Sequence, residues 1–211
     1  MKRHKDNTNL RLINGSKYKE YSVQGTHGPL IANYLDKAIE TISLALEQHS
    51  KVFAFRIDLH FPSWFEQNDS STNEHIRRFL GKLDAIIQAN LKGEKHSSKL
   101  RYIWVREIGI NQNIHYHLAI LLNGNAYSTV GNPSLSNKNL FTRIVDAWAR
   151  ALDVEPQKIV SCVHIPKNAE YRLSRSSIEM ADAFIHRISY LCKSKTKQYG
   201  TLSHSFGSSR G

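Results

Sequence analysis

Cysteine is scarce in this sequence: 211 residues hold two, Cys162 and Cys192. Two distant thiols build neither a disulfide framework nor a zinc cluster, so both read as reduced thiols packed in a core. Long apolar runs are missing as well. No stretch approaches the roughly 20 residues that span a bilayer, and no basic amphipathic helix with a strong apolar face suits a membrane surface. Met1 to Asp6 are basic but no apolar segment follows them, which argues against a secretory signal and points to the cytoplasm. Internal repeats and low-complexity blocks are absent. Negative charge is the scarcer sign: 18 Asp and Glu face 29 Lys and Arg, for a net charge of +11. A field of that sign suits a polyanionic partner, most often nucleic acid.

What is present is a globular composition, 40% hydrophobic, long enough to bury a core as one domain. Residues 1–28 are polar and basic, carry Gly15, Gly25 and Gly28, and read as a loosely ordered arm. From Pro29, apolar residues at Leu30, Ile31, Tyr34, Leu35, Ala38, Ile39, Ile42 and Leu46 recur at helical spacing over 30–49. Phe53, Phe55, Ile57 and Leu59 alternate with Arg56, Asp58 and His60, a strand that Pro62 stops. Ser71 or Thr72 can cap a second helix through about Leu91. Leu100–Ile108 and Ile114–Leu122 read as strands around the polar turn Gly109-Ile110-Asn111-Gln112-Asn113. A helix at 138–152, a strand at 159–165 and a helix from about Ile178 to Lys193 follow, then a flexible Gly/Ser-rich tail at 200–211. This order predicts an α+β domain over 29–199, with a mostly antiparallel sheet and helices on one side.

The hairpin carries the strongest local signal. His115 and His117, two apart on a strand, point to the same face. If Ile108 pairs with Ile114, Glu107 sits opposite His115, with Cβ atoms roughly 5 Å apart. Two imidazoles and a carboxylate suit a divalent ion, Mn²⁺ or Mg²⁺, with coordination positions left open. The alternative is that the two histidines are ordinary polar-face residues, as the chain has 11. The matched carboxylate favours the metal. Asp58 and His60 are open to three readings: further ligands, DNA contacts, or solvated groups.

In the last helix, Tyr190 and Lys193 form a YxxK on one helical face, with His186 one turn before Tyr190. Arg187, Lys195 and Lys197 surround them, and no acidic residue lies between His186 and Gly211. A tyrosine can attack a phosphodiester and form a covalent phosphotyrosine. A phenol ordinarily titrates near 10, so such a reaction needs a neighbouring cation or base, here Lys193. The alternative is a tyrosine on a basic surface helix, one of nine in the chain. Arg56, Asp58, His186, Arg187, Lys195, Lys197 and Arg210 are the expected DNA contacts. Tyr171, Tyr199 and Phe206, in polar surroundings, either stack on bases or pack in loops.

These two motifs in this order resemble the HUH superfamily of rolling-circle initiators, relaxases and related transposases. His115-Tyr116-His117 matches its HUH motif, Glu107 the usual carboxylate ligand of viral replication proteins, and Tyr190 with Lys193 its YxxK. More closely, Trp104-Val105-Arg106-Glu107, His115-Tyr116-His117-Leu118, Val163-His164-Ile165-Pro166, Tyr190…Lys193-Ser194-Lys195 and Phe206-Gly207-Ser208-Ser209-Arg210 resemble two related groups. These are the replication proteins of filamentous phages and the YagK/YfjJ-type prophage proteins. The resemblance spans roughly residues 50–211. It implies a palm-like antiparallel sheet, a divalent metal, single-stranded origin DNA as substrate, and a 5′-phosphotyrosine intermediate that frees a 3′-OH. Host helicase and polymerase are then the expected partners. Two-tyrosine initiators often carry a second tyrosine one turn later, where this chain has Ser194, so a single-tyrosine enzyme is expected. A catalytically silent prophage DNA-binding regulator and a transposase-like enzyme of the same chemistry are the alternatives.

Overall fold

The computed structural model describes residues 2–66, 72–109, 113–195, 197, 199 and 203–211, apart from the side chains of Thr72 and Ile178. The turn residues Ile110, Asn111 and Gln112, and the capping alternative Ser71, lie outside them.

The centre is a six-stranded antiparallel sheet. Its strands are β6 (Lys51–His60), β7 (Arg101–Ile108), β8 (Ile114–Asn123), β9 (Val163–His164), β10 (Glu170–Ser174) and β11 (Phe206–Ser208). They run in the order β10-β6-β8-β7-β11, with β9 also pairing β6. Phe53, Phe55, Ile57 and Leu59 of β6 join Tyr116, Leu118, Ile120 and Leu122 of β8 on one face. The helices α2 (Thr72–Asn90) and α3 (Leu140–Leu152) cover it. Asn139 begins α3 with a reciprocal capping box to Thr142. From the same helix the fully buried Trp148 donates its indole N–H to the His60 carbonyl at 2.8 Å.

Helices were expected on one side of the sheet; they cover both. On the opposite face Val52, Ala54, Ile103, Val105, Ala119 and Leu121 pack beneath α1 (Ala32–Gln48) and α5 (Ile178–Ser189). The polar residues of β6 that suggested an open face, Arg56, Asp58 and His60, gather at one end of the strand. Val52 and Ala54, nearer the other end, pack with the apolar residues of α1 and α5.

Residues 2–28, expected as a loose arm, form structure as well. Strands β1 (Lys2–Arg3), β2 (Arg11–Ile13) and β5 (Leu30–Ile31) make a three-stranded sheet, and β3 (Lys17–Tyr18) pairs β4 (Tyr21–Ser22). Leu10 and Val23 are buried with Leu30, Ile31, Tyr34, Leu35 and Cys192, and burial of such side chains holds the segment down. Residues 200–202 of the expected tail lie outside the described residues; within 203–211 it is corrected, as β11 pairs Phe206, Gly207 and Ser208 with Val105, Trp104 and Ile103. The expected strand at 159–165 is mostly helical, with α4 (Pro156–Ile159), a 3₁₀ turn (Val160–Cys162) and only Val163–His164 extended.

Candidate metal centre and tyrosine

The polar ends of β6, β7 and β8 meet at one end of the sheet, on the face that α1 and α5 cover elsewhere. Ile108 pairs with Ile114, so Glu107 stands opposite His115, the register that the hairpin pattern predicts. One more strand adds to this: β6 sets Asp58 opposite His117 and His60 opposite His115. The ligand atoms of Glu107, His115 and His117 all lie within 4.8 Å of one another. Glu107 is buried while both imidazoles are partly exposed, so the cluster opens to solvent on one side.

The donors fit a divalent ion. His117 Nδ1–H donates to Asp58 Oδ1 at 2.5 Å, and its Nε2 faces Glu107 Oε2 at 3.5 Å. A carboxylate holding one imidazole nitrogen fixes the tautomer that offers the other nitrogen to a metal. Asp58 thus holds the His117 ring in place. It was expected, with Arg56, to meet DNA. Both are instead buried, at 8% and 3% exposure, and Arg56 Nη2 donates to Asp58 Oδ1 at 2.9 Å. His60 stacks on His115 at 5.3 Å.

Charge in the cluster is closely coupled. Burial would raise the Asp58 carboxyl, but its bond from His117 and the charges of His117 and Arg56 bring it down to about 2. Burial also acts to raise Glu107. The His117 bond and the Lys197 ammonium outweigh it, and Glu107 stays well below the ordinary carboxylate range. For His117 burial works against protonation, yet hydrogen bonds to Asp58 and Glu107 leave its pKa raised. Burial lowers His115. Lys197, expected at a DNA-facing surface, is buried instead and donates to Glu107 Oε1 at 2.7 Å. Burial lowers its pKa against the pull of Glu107.

The YxxK is not one continuous α-helix. Helix α5 stops at Ser189, Tyr190–Cys192 form a 3₁₀ turn, and Lys193 is extended and bridges to Leu30. A 3₁₀ turn holds three residues, so side chains three apart eclipse and Tyr190 and Lys193 still share a side. Lys193 Nζ lies 3.7 Å from the Tyr190 ring centroid and 3.4 Å from Glu107 Oε2. His27 packs edge-on against the same ring at 5.2 Å. Arg56 lies close enough to Arg187 to feel its charge.

Among the remaining expected DNA contacts, Lys195 and His186 are exposed and Arg187 is half-buried, its Nη2 donating to the Lys167 carbonyl at 3.0 Å. Arg210 lies at the end of β7 away from Glu107. Its carbonyl accepts from Arg101, six residues from Glu107 along β7, about 20 Å at the usual strand rise. The three aromatics take the packing alternative. Phe206 stacks on Tyr34 at 4.2 Å, Tyr199 shares a hydroxyl hydrogen bond with Tyr34 at 3.0 Å, and Tyr171 leans on Phe184 at 5.1 Å.

A mixed α+β domain bearing a buried carboxylate beside two imidazoles, with a tyrosine joined to it by a lysine, is the class that fold and site define. Residues 14–209 match the model of the YagK/YfjJ C-terminal domain, and the chain belongs to that family. It is similar to "Uncharacterized protein YfjJ" of Escherichia coli (strain K12), 31% identical over 87% of this chain and 97% of that one. It is also similar to "Uncharacterized protein YagK" of the same organism, 29% identical over 89% and 97%. No solved structure matches. Among the described residues no helix is long and apolar enough to cross a membrane.

Proposed function

We propose that the protein is a metal-dependent endonuclease of the HUH type, which nicks and rejoins single-stranded DNA to start rolling-circle replication of a phage or prophage in the bacterial cytoplasm. One observation carries this reading: the Lys193 ammonium stands over the Tyr190 ring and beside Glu107, linking a nucleophile to a metal ligand.

Glu107, His115 and His117 would hold Mn²⁺ or Mg²⁺, which when bound supplies a Lewis acid for the scissile phosphate. Tyr190 Oη attacks phosphorus; the new O–P bond forms as the P–O3′ bond breaks. The phenolic proton passes to solvent and the departing 3′ oxygen takes one up. The products are a 5′-phosphotyrosine and a free 3′-OH, on which host helicase and polymerase would act. Attack by a 3′-OH reverses the step, reseals the strand and frees Tyr190. Lys193 stabilises the phenolate and the charge that builds on the phosphate. Arg56 and Arg187 supply further positive charge.

The test is incubation with single-stranded oligonucleotides and Mn²⁺, followed by a denaturing gel. An adduct in the wild type that Tyr190→Phe abolishes, while leaving DNA and metal binding intact, is the expected result. Equal cleavage by that variant refutes the reading. One observation favours a silent DNA-binding regulator instead: both Glu107 oxygens already meet a lysine, Lys197 at 2.7 Å and Lys193 at 3.4 Å. Tight single-strand binding with no adduct at any metal would support that alternative.

A further inference from the structure

The N-terminal sheet is tied to the segment that carries Lys193. Leu30 of β5 bridges Lys193, and the Ser194 amide donates to the Pro29 carbonyl at 2.9 Å. Between this sheet and Ser194, Lys195 and Lys197 lies a cleft of about 390 Å³. Its walls are Lys2, Arg3, Lys5 and Asp6 on one side and Ser194, Lys195 and Lys197 on the other. Lys197 also belongs to the Glu107 cluster, so one end of the cleft abuts the candidate metal centre.

The charge of this cleft is unusual for the molecule. Other cations of the N-terminal segment are neutralised: Arg11 of β2 and Lys19 of the β3–β4 turn both pair with Asp36. Lys2, Lys5 and Lys195 are exposed and have no carboxylate partner among the described residues, and Arg3 reaches only the Asn9 carbonyl, at 3.5 Å. Asp6 is the one acid in the lining, its backbone N–H donating to His4 Nδ1 at 3.2 Å. His4 itself is buried edge-on against Tyr199, which holds the basic wall in place. Lysines and an arginine at an open cleft suit a run of phosphates rather than a single anion in a closed site.

We propose that this cleft binds the sugar–phosphate backbone of the single-stranded DNA substrate and leads it to Tyr190. The proposal rests on the nuclease reading for the strand's destination, but the binding surface itself does not. The test is fluorescence anisotropy of a labelled mixed-sequence single strand, titrated over a range of salt. It uses the Tyr190→Phe protein with and without Lys2→Ala, Arg3→Ala and Lys5→Ala together. All three side chains are exposed, and melting temperature checks the fold. A control removes the same charge from a distant surface, with Lys92→Ala, Lys95→Ala and Lys99→Ala.

Each phosphate contact to a single strand contributes a slope of about −0.7 in log K against log salt, so three lost contacts flatten it by about 2. That flattening, with weaker binding and an unchanged slope in the control, is expected. A wild-type slope in the cleft variant, or a loss no larger than the control's, overturns the proposal. So does a loss confined to duplex DNA of the same sequence. If the cleft variant flattens the slope but no adduct ever forms in the wild type, the cleft stands and the nuclease reading falls. If an adduct forms at saturating DNA while the slope stays unchanged, the reverse holds.

Discussion

Replacing Lys197 with methionine separates folding from metal binding at the centre of the site. The Lys197 side chain is fully buried and its ammonium lies 2.7 Å from Glu107 Oε1. Methionine keeps most of the volume and removes the charge. Breaking a buried ion pair from one side costs about 3–5 kcal/mol, because the partner charge is left behind. Glu107 still has Lys193 at 3.4 Å and His117 Nε2 at 3.5 Å, which places the cost near the lower end. For a chain of this size, about 3 kcal/mol lowers the melting temperature by roughly 6–12 °C in EDTA. A metal that binds only the folded state contributes about 2.7 kcal/mol at a hundredfold excess over its Kd. In the variant no Lys197 ammonium competes for Glu107, so Mn²⁺ should bind more tightly and raise the melting temperature further than in the wild type. Differential scanning fluorimetry with EDTA and with Mn²⁺ reads both effects. A gap between variant and wild type that is the same in both conditions refutes the claim that Glu107 is a metal ligand.

Asp58→Asn should weaken Mn²⁺ binding about 10- to 100-fold by calorimetry, since the carboxylate that orients His117 is lost; wild-type affinity would show that Asp58 has no positioning role. The same residue shapes acid stability. Its carboxyl ordinarily titrates at 3.8 and is held at about 2 in the fold, so its contribution is complete above 3.8 and fades as pH falls through about 2. The denaturation midpoint should therefore drop more steeply over that window in the wild type than in Asp58→Asn, and equal slopes would count against the His117 and Arg56 partnership. Thiol titration gives a separate check on the core: burial pushes Cys192 up to about 12 and raises Cys162. Neither should react with a thiol reagent in the native state and both should react in denaturant, whereas one fast native equivalent would contradict the packing.

The hairpin was legible in the sequence because period-two alternation leaves one register that keeps Tyr116, Leu118 and Ile120 inward. That register alone placed Glu107 opposite His115. Alternation along β6 put Arg56, Asp58 and His60 on one face, but that β6 pairs β8 with Asp58 opposite His117 depends on a strand order no local period encodes. Lys197 was out of reach: a lysine in a polar segment after a helix reads as solvated, and its burial depends on contact with Glu107, 90 residues away. Strand β11 was hidden by composition. Phe-Gly-Ser reads as a turn, yet Gly207 lies flat against Trp104, where a Cβ would meet the indole at 2.5 Å. The N-terminal strands are two or three residues long and pair across the sequence, which leaves no local period to read.

Peptide mapping by mass spectrometry of the protein after reaction with a single-stranded substrate and Mn²⁺ tests the central claim most directly. The account expects a nucleotide joined through a 5′ phosphate to the peptide containing Tyr190. A nucleotide on any other tyrosine, or strand cleavage with no protein-linked product, would contradict it.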